Sequence, residues 1–196
     1  MFWWLKLAQN VKIMSKRNKI PDGWRDYTPV GKCISGTRII PLKVPLRENM
    51  CQRNLPRDEW FTPDMLIKQE PKLKTIIDLT NTDRYYNGAR EFGTKGIAHV
   101  KISVEGQGKL PPAGKIQQFQ QVVDEYLDKN KDNDALIGVH CTHGLNRTGY
   151  FVCSWMLDRL KIDPEEAIRR FNEARGHKIE RKMLLDDLRT KSTEKS

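Results

Sequence analysis

The sequence predicts an α/β protein in which a central, mostly parallel and twisted sheet is flanked by helices on both faces. Segments rich in β-branched residues alternate along the chain with segments whose apolar residues recur at helical spacing. Such alternation favours a parallel sheet, because each helical crossover covers a face of the sheet and returns the chain to the next strand. A length of 196 residues suits one main domain with a core of its own.

The first half of this domain is predicted to contribute strands and one capped helix. Prolines interrupt the apolar run 38–46, which suits an edge strand or extended segment, where a missing amide hydrogen is tolerated. Thr62 and Pro63 have the identities of a helix N-cap and a first helical residue, so we expect a helix from there to about residue 70. The remaining predictions are a buried strand at 74–80, a polar loop at 81–88 and a second strand at 97–104.

The second half is predicted to be mainly helical around one more buried strand, at 135–140. Asp163 and Pro164 again have the identities of an N-cap and a first helical residue, and Gly176 is the residue type that ends helices. The predicted elements are a loop at 105–114 and helices at 115–129, 148–160, 164–175 and 180–189.

Composition excludes several classes of protein. The chain has 35 basic and 25 acidic residues, a formal net charge of +10 and a pI near 9.5, which favours polyanionic partners. No apolar run approaches the roughly 18 residues of a membrane-spanning helix. The four cysteines lack the paired spacing of a zinc ribbon and predict a reduced, cytosolic or nuclear protein: Cys33, Cys51, Cys141 and Cys153.

The first 21 residues differ from the rest of the chain. They are basic and begin with an apolar run at 2–5, without the order of features of a signal peptide. We expect a disordered basic extension at 1–21, with Met14 as an alternative start, then a domain at 22–190 and a polar tail at 191–196.

The sequence HCTHGLNRTGY, residues 140–150, lies between the last predicted strand and the next helix. A strand-to-helix turn points successive backbone N–H groups inward, and the helix N-terminus adds partial positive charge, so the turn predicts a cradle for a phosphate-sized anion. Arg147 can close this cradle with a planar fork that binds two oxygens. Cys141 lies at its base, where these groups favour a nucleophilic thiolate.

A metal site is the nearest alternative, because His140, Cys141 and His143 are clustered. Ligands so close together in one tight turn cannot all reach one ion in tetrahedral geometry, and no second pair follows at finger spacing. A nucleotide-binding GxxxxGK[ST] sequence does not occur in the chain. We therefore expect no metal and no cofactor.

The segment 140–150 resembles the HCxxGxxR[ST] signature of the cysteine-dependent, dual-specificity-like phosphatases. Segments 24–46, 78–86 (DLTNTDRYY) and 175–181 (RGHKIER) resemble the RNA 5′-triphosphatase branch of that family. The resemblance covers about residues 20–190 and implies the cysteine-phosphatase fold.

The resemblance also implies a role for each residue of the motif. Cys141 would be the nucleophile, His140 would orient the loop and support the thiolate, and Thr148 would donate its hydroxyl to the departing sulfur. Arg181 would bind a second phosphate, with Arg84 a weaker candidate, although either could be a surface charge. The expected phosphate-binding positions of the loop are Thr142, His143, Gly144, Leu145, Asn146 and Arg147.

Protein phosphatases of this kind carry an aspartate general acid on a loop before the signature. The corresponding loop here, 104–112, has no aspartate, and Glu105 is its only acidic residue. A phenolate or alkoxide leaving group, with a pKa of about 10 or more, needs a proton, whereas a phosphate leaving group, with a pKa near 6, does not. The missing aspartate therefore favours hydrolysis of a phosphoanhydride.

We accordingly expect a metal-independent RNA 5′-triphosphatase and diphosphatase that removes the γ and then the β phosphate. Its expected partners are RNA and RNP proteins rather than a membrane, and we expect a monomer in the nucleus or also in the cytoplasm. One alternative is a dual-specificity protein or phosphoinositide phosphatase. Another is an RNA- or RNP-binding adaptor, in which Trp24, Tyr85 and Tyr86 would stack on bases.

Overall fold

The computed structural model describes residues 19–106 and 108–191. Most of the expected extension at 1–21 and of the tail at 191–196 lies outside the described residues. Within them, four strands form one sheet in the order β1-β4-β2-β3. The strands are β1 (Ile39–Leu42), β2 (Leu73–Asp78), β3 (Ala98–Lys101) and β4 (Leu136–His140). Every neighbouring pair is parallel, which confirms the predicted parallel sheet.

Seven α-helices occur in the described part of the chain. They are α1 (Glu48–Asn54), α2 (Pro63–Gln69), α3 (Gly88–Glu91), α4 (Ala113–Lys129), α5 (Asn146–Arg159), α6 (Pro164–Arg175) and α7 (Lys182–Thr190). The predicted caps are confirmed: the Thr62 side chain accepts from the Met65 N–H, and Asp163 accepts from Glu165 and Glu166. Gly176 ends α6 in the left-handed conformation, with φ of 75°.

The helix predictions missed two short helices and misplaced the start of a third. Helices α1 and α3 were not predicted, because each spans at most two turns and lacks a periodic apolar stripe. Helix α7 begins at Lys182 rather than at residue 180. The side chain of Asn146 accepts hydrogen bonds from the N–H groups of Glu180 and Arg181, at 2.9 Å each, and so holds both before the helix.

Helices cover both faces of the sheet, as predicted. One face packs Ile77, Ile137 and Val139 against α4, α5, α6 and α7. The other face packs Ile40 and Ile76 against α1 and α2. No helix in the described part is long and apolar enough to cross a membrane. Strand β4 pairs with β1 on one side and β2 on the other, and helices cover both faces of the sheet. The signature motif begins at the carboxyl end of this central strand.

Candidate active site

The phosphate loop, residues 141–147, connects β4 to the first turn of α5. Helix α5 begins at Asn146, two residues before its predicted start, so its N-terminus belongs to the loop. The loop crosses close to the end of β1, where the Val44 N–H donates to the carbonyl oxygen of Thr142 at 3.1 Å. Gly144 has a φ of +72°, and a Cβ there would lie 2.2 Å from the carbonyl oxygen of Leu42. Only glycine fits this close approach.

Cys141 lies at the base of the loop and is 4% exposed. Burial by itself raises the pKa of a thiol, but the charge of Arg147 opposes it, together with the Thr148 hydroxyl and the N–H groups of Thr148 and Gly144. The pKa of Cys141 is consequently lower than that of an ordinary cysteine. A thiolate is the stronger nucleophile, so the site favours the reactive form.

Arg147 is fixed from two sides. Its Nη1 donates to the carbonyl oxygens of Leu79, at 3.0 Å, and Val104, at 2.7 Å, and its Nη2 donates to the Thr142 hydroxyl at 3.1 Å. The carbonyls belong to the segments that follow β2 and β3. Protein groups from two loops therefore orient the guanidinium, and its charge acts on Cys141.

Thr148 lies in the first turn of α5 and is fully buried. Among the described residues its hydroxyl oxygen has no hydrogen-bond partner of regular geometry. It nevertheless lies close enough to the sulfur of Cys141 to lower the pKa of that thiol. Leaving a buried hydroxyl without a polar partner is costly, so this group is matched to an ionised sulfur.

His140 is completely buried beneath the loop. Its Nδ1 lies 3.0 Å from the carbonyl oxygen of Cys141, and its Nε2 lies 2.6 Å from the hydroxyl of Tyr86. A carbonyl oxygen only accepts, so Nδ1 carries the hydrogen, and in the neutral ring Nε2 is an acceptor. The Tyr86 hydroxyl can donate to this nitrogen at 2.6 Å or to the Asp78 carboxylate at 3.3 Å. Burial lowers the pKa of His140, against the opposing charge of Asp78.

A charged network behind His140 was missing from the sequence prediction. Asp78, at the end of β2, is 4% exposed and lies 3.8 Å from His140 Nδ1. Lys101 donates to its Oδ2 at 2.9 Å, and His99 Nε2 lies 3.6 Å from the same oxygen. Burial raises the pKa of Asp78, but the charge of His140, the His99 hydrogen bond and the charge of Lys101 lower it well below its usual range. Asp78 belongs to the segment DLTNTDRYY, which was used only for its family resemblance, so the sequence analysis did not predict the network.

Two predicted residues brace neighbouring segments. Asn146 fixes residues 180–181, as described above, and Arg181 Nη1 donates to the carbonyl oxygen of Gly106 at 2.6 Å. A Cβ on Gly106 would lie 3.5 Å from Arg147 Nη2, so this contact brings Arg181 to the edge of the site. Glu105, the only acidic residue of that loop, is exposed.

The remaining predicted phosphate-binding residues differ in their surroundings. Leu145 is fully buried, and His143 Nε2 donates to the carbonyl oxygen of Asp22 at 2.8 Å. Arg84 packs its guanidinium 4.7 Å above the ring of Tyr85 and donates to the Tyr85 hydroxyl at 3.0 Å. Both of these contacts are with an aromatic residue outside the phosphate loop.

The three aromatic residues that the adaptor alternative would use as stacking platforms are buried. Trp24 is 1% exposed, and Tyr85 and Tyr86 are each 5% exposed. All three belong to the core on the face of the sheet that carries Ile40 and Ile76, where their rings contribute packing. Among the described residues, no group of three or more His, Cys, Asp or Glu side chains could hold a metal ion.

Comparison with known proteins identifies the family. The catalytic-domain model of the dual specificity phosphatases matches residues 62–194. The chain belongs to the dual specificity phosphatase family. A crystal structure of kinase associated phosphatase matches 85% of this phosphatase and 96% of its own chain, with a TM-score of 0.64 at 16% identity. The predicted cysteine-phosphatase fold is thereby confirmed.

Two relatives are closer in sequence to this phosphatase. It is 44% identical over 184 residues to the RNA/RNP complex-1-interacting phosphatase of Rattus norvegicus, covering 92% of this chain and 55% of the relative. It is 43% identical over 168 residues to a tyrosine-protein phosphatase of Autographa californica nuclear polyhedrosis virus, covering 86% of this chain and 98% of the relative. The chain thus spans about half the length of the rat protein and nearly all of the viral one.

Proposed function

We propose that this chain is a metal-independent RNA 5′-triphosphatase and diphosphatase that acts through Cys141. The observation that carries the proposal is a thiolate-favouring cysteine beside a loop, 104–112, without an aspartate. Similarity to a phosphatase named for interaction with an RNA/RNP complex supports RNA as the substrate class. A net charge of +10 suits the polyanionic chain behind the reacting end.

The proposed chemistry has two displacement steps. The Cys141 thiolate attacks the γ phosphorus, the bond between that phosphorus and its bridging oxygen breaks, and diphosphate-ended RNA leaves with the electron pair. Water then attacks the phosphocysteine, the sulfur–phosphorus bond breaks, and inorganic phosphate leaves. A second round on the β phosphate yields a 5′-monophosphate end.

The residues around Cys141 have separate proposed roles in these steps. Arg147 and the loop amides stabilise the charge on the transferring phosphoryl group. The Thr148 hydroxyl stabilises the sulfur when it departs as a thiolate. Arg181, next to Gly106 at the edge of the site, is placed to bind the phosphate that follows in the chain.

A radiolabel experiment tests the substrate class. Phosphate release from γ-labelled 5′-triphosphate RNA is measured with EDTA present, for the wild type and Cys141→Ser, beside p-nitrophenyl phosphate. We expect fast, EDTA-resistant release from RNA that requires Cys141, with slow turnover of the aryl phosphate. Cys33→Ser, at an exposed cysteine, is the matched control and should keep full activity.

The alternatives predict different results in the same assay. A protein or phosphoinositide phosphatase would turn over the aryl phosphate efficiently and leave the RNA unreacted. In that case Glu105→Gln would lower the rate of aryl phosphate turnover. An adaptor would still bind the RNA, but it would show no phosphate release that depends on Cys141. Either pattern contradicts the triphosphatase proposal.

A further inference from the structure

The underside of the phosphate loop rests on a buried arginine that the sequence analysis did not single out. Arg175, the last residue of α6, is 1% exposed. Its Nη2 donates to the carbonyl oxygen of His143 at 2.9 Å, and its Nε donates to that of Gly144 at 3.1 Å. One guanidinium therefore holds two successive peptide groups of the loop.

The other side of the same guanidinium binds Thr28. Nη1 donates to the Thr28 hydroxyl at 2.9 Å, and Nη2 donates to the Thr28 carbonyl oxygen at 2.8 Å. Thr28 ends a short segment that also touches the loop directly, since the Asp22 carbonyl accepts from His143 and the Tyr27 ring lies 5.2 Å from the His143 ring. The loop is thus held between residues 22–28 and the end of α6.

We propose that Arg175 and Thr28 are positioning residues of the phosphate site, acting through the peptide groups that follow His143 and Gly144. In a planar trans peptide, the C=O of one residue and the N–H of the next point in opposite directions. Bonds to the His143 and Gly144 carbonyls therefore turn the N–H groups of Gly144 and Leu145 to the opposite side, toward the anion cradle. The Gly144 N–H is one of the groups that stabilise the Cys141 thiolate.

Arg175 also places a buried cation near the nucleophile. Burial lowers its pKa to about 10, while the charge of Cys141 acts in the opposite direction. The guanidinium therefore remains protonated at neutral pH. Cys141 and Arg175 thus interact electrostatically, although Arg175, unlike Arg147, lies outside the loop.

The segment that carries Thr28 precedes residue 62, where the family model begins to match. A role for Thr28 would extend the functional machinery beyond the matched catalytic domain. The inference rests on the thiolate chemistry proposed for Cys141 and is independent of the nature of the substrate.

The test uses two readouts that need no substrate: the Kd for vanadate, an oxyanion that mimics the transferring phosphoryl group, and the pH midpoint of iodoacetate labelling at Cys141. Arg175→Met should weaken vanadate binding about hundredfold and raise the midpoint by about one pH unit, since it removes both the charge and the bonds. Arg175→Lys should restore the midpoint by returning the charge, but not the vanadate affinity, because an ammonium lacks the planar fork.

Thr28→Val removes one acceptor of the guanidinium and should weaken vanadate binding about threefold to tenfold. Arg169→Met is the matched control, since Arg169 is on the same helix, pairs with Glu166 and Glu173, and is exposed. It should leave both readouts at their wild-type values.

Unchanged vanadate affinity in a folded Arg175→Met protein would overturn the inference. If that variant does not fold, Arg175→Lys and Thr28→Val decide, and wild-type vanadate affinity in both would equally overturn it. Neither readout uses RNA, so a failed RNA assay leaves this result standing, and the reverse also holds.

Discussion

Cys141 in the phosphate loop and Cys153 in the middle of α5 belong to the same hydrophobic core, with exposures of 4% and 0%. Burial acts alone on Cys153 and raises the pKa of its thiol far above the usual range. At Cys141 the same burial is outweighed by Arg147, the Thr148 hydroxyl and two backbone N–H groups. The comparison shows that burial disfavours the thiolate and that the loop contributes the reversal.

Removing one thiol at a time is the strongest way to separate the two regions. Cys141→Ala should abolish turnover, by about ten-thousandfold or more, since no other group can form the covalent intermediate. Cys153→Ala should keep full turnover and lose only stability, by about 1 kcal/mol for the small cavity it leaves. The measurements are steady-state phosphate release and thermal unfolding. Loss of turnover in a folded Cys153→Ala protein would contradict this assignment.

Arg147→Met should make Cys141 resemble Cys153. Without the charge that opposes burial, the pKa of Cys141 rises, and the thiolate fraction at pH 6 falls. We expect about a thousandfold loss of kcat/KM and a labelling midpoint moved to higher pH. Arg159→Met, at the exposed end of the same helix beside Asp124, is the control and should change neither quantity.

Thr148→Val should remove part of the reversal at Cys141 while conserving side-chain volume. The hydroxyl makes no regular hydrogen bond among the described residues, so the melting temperature should change little. Hydrolysis of the phosphocysteine should slow about tenfold to hundredfold, because the departing thiolate loses a hydrogen bond. Rapid-quench kinetics would detect this as a burst of leaving group, and Thr148→Ser should reverse it. Absence of a burst would mean that the hydroxyl does not serve sulfur departure.

Tyr86→Phe should have the smallest effect, because Tyr86 acts on Cys141 indirectly, through His140 and Asp78. The ring keeps its packing 5.4 Å from Phe92, while His140 Nε2 loses its donor at 2.6 Å. We expect about a threefold fall in kcat/KM and a small shift of the acid limb of its pH profile. Tyr126→Phe is the control, since its hydroxyl donates to the Leu136 carbonyl at 3.2 Å, at the opposite end of β4. Equal effects of the two variants would contradict a role for Tyr86 in tuning His140.

Local signals in the sequence were sufficient for the elements that local chemistry defines. The caps at Thr62 and Asp163 and the helix end at Gly176 were predicted because each depends on a few adjacent residues. The parallel sheet followed from the alternation of strands and helices. Cys141 and Arg147 could be proposed together from the sequence because both belong to one turn, and in the structure the charge of Arg147 lowers the pKa of Cys141.

The fate of the aromatic residues illustrates what local signals leave open. The sequence around Trp24, Tyr85 and Tyr86 is the same whether their rings are exposed or buried, and only tertiary packing decides between the two. In the structure they are buried on the face of the sheet that carries Ile40 and Ile76. There Trp24 donates its indole N–H to the Val44 carbonyl, and Tyr86 packs on Phe92.

Sequence patterns were enough to predict the order of the strands and of the longer helices, the phosphate loop and the two side chains proposed to carry its chemistry. Which groups lie behind that loop depends on tertiary packing. His140 meets Tyr86 across 54 residues of sequence, and Arg175 meets Thr28 across 147. No periodicity or motif spacing encodes such pairs, because they form only when the packed layers bring distant segments together. The groups that set the pKa of Cys141 thus lie in one turn, whereas the residues that hold this turn in place come from distant segments of the chain.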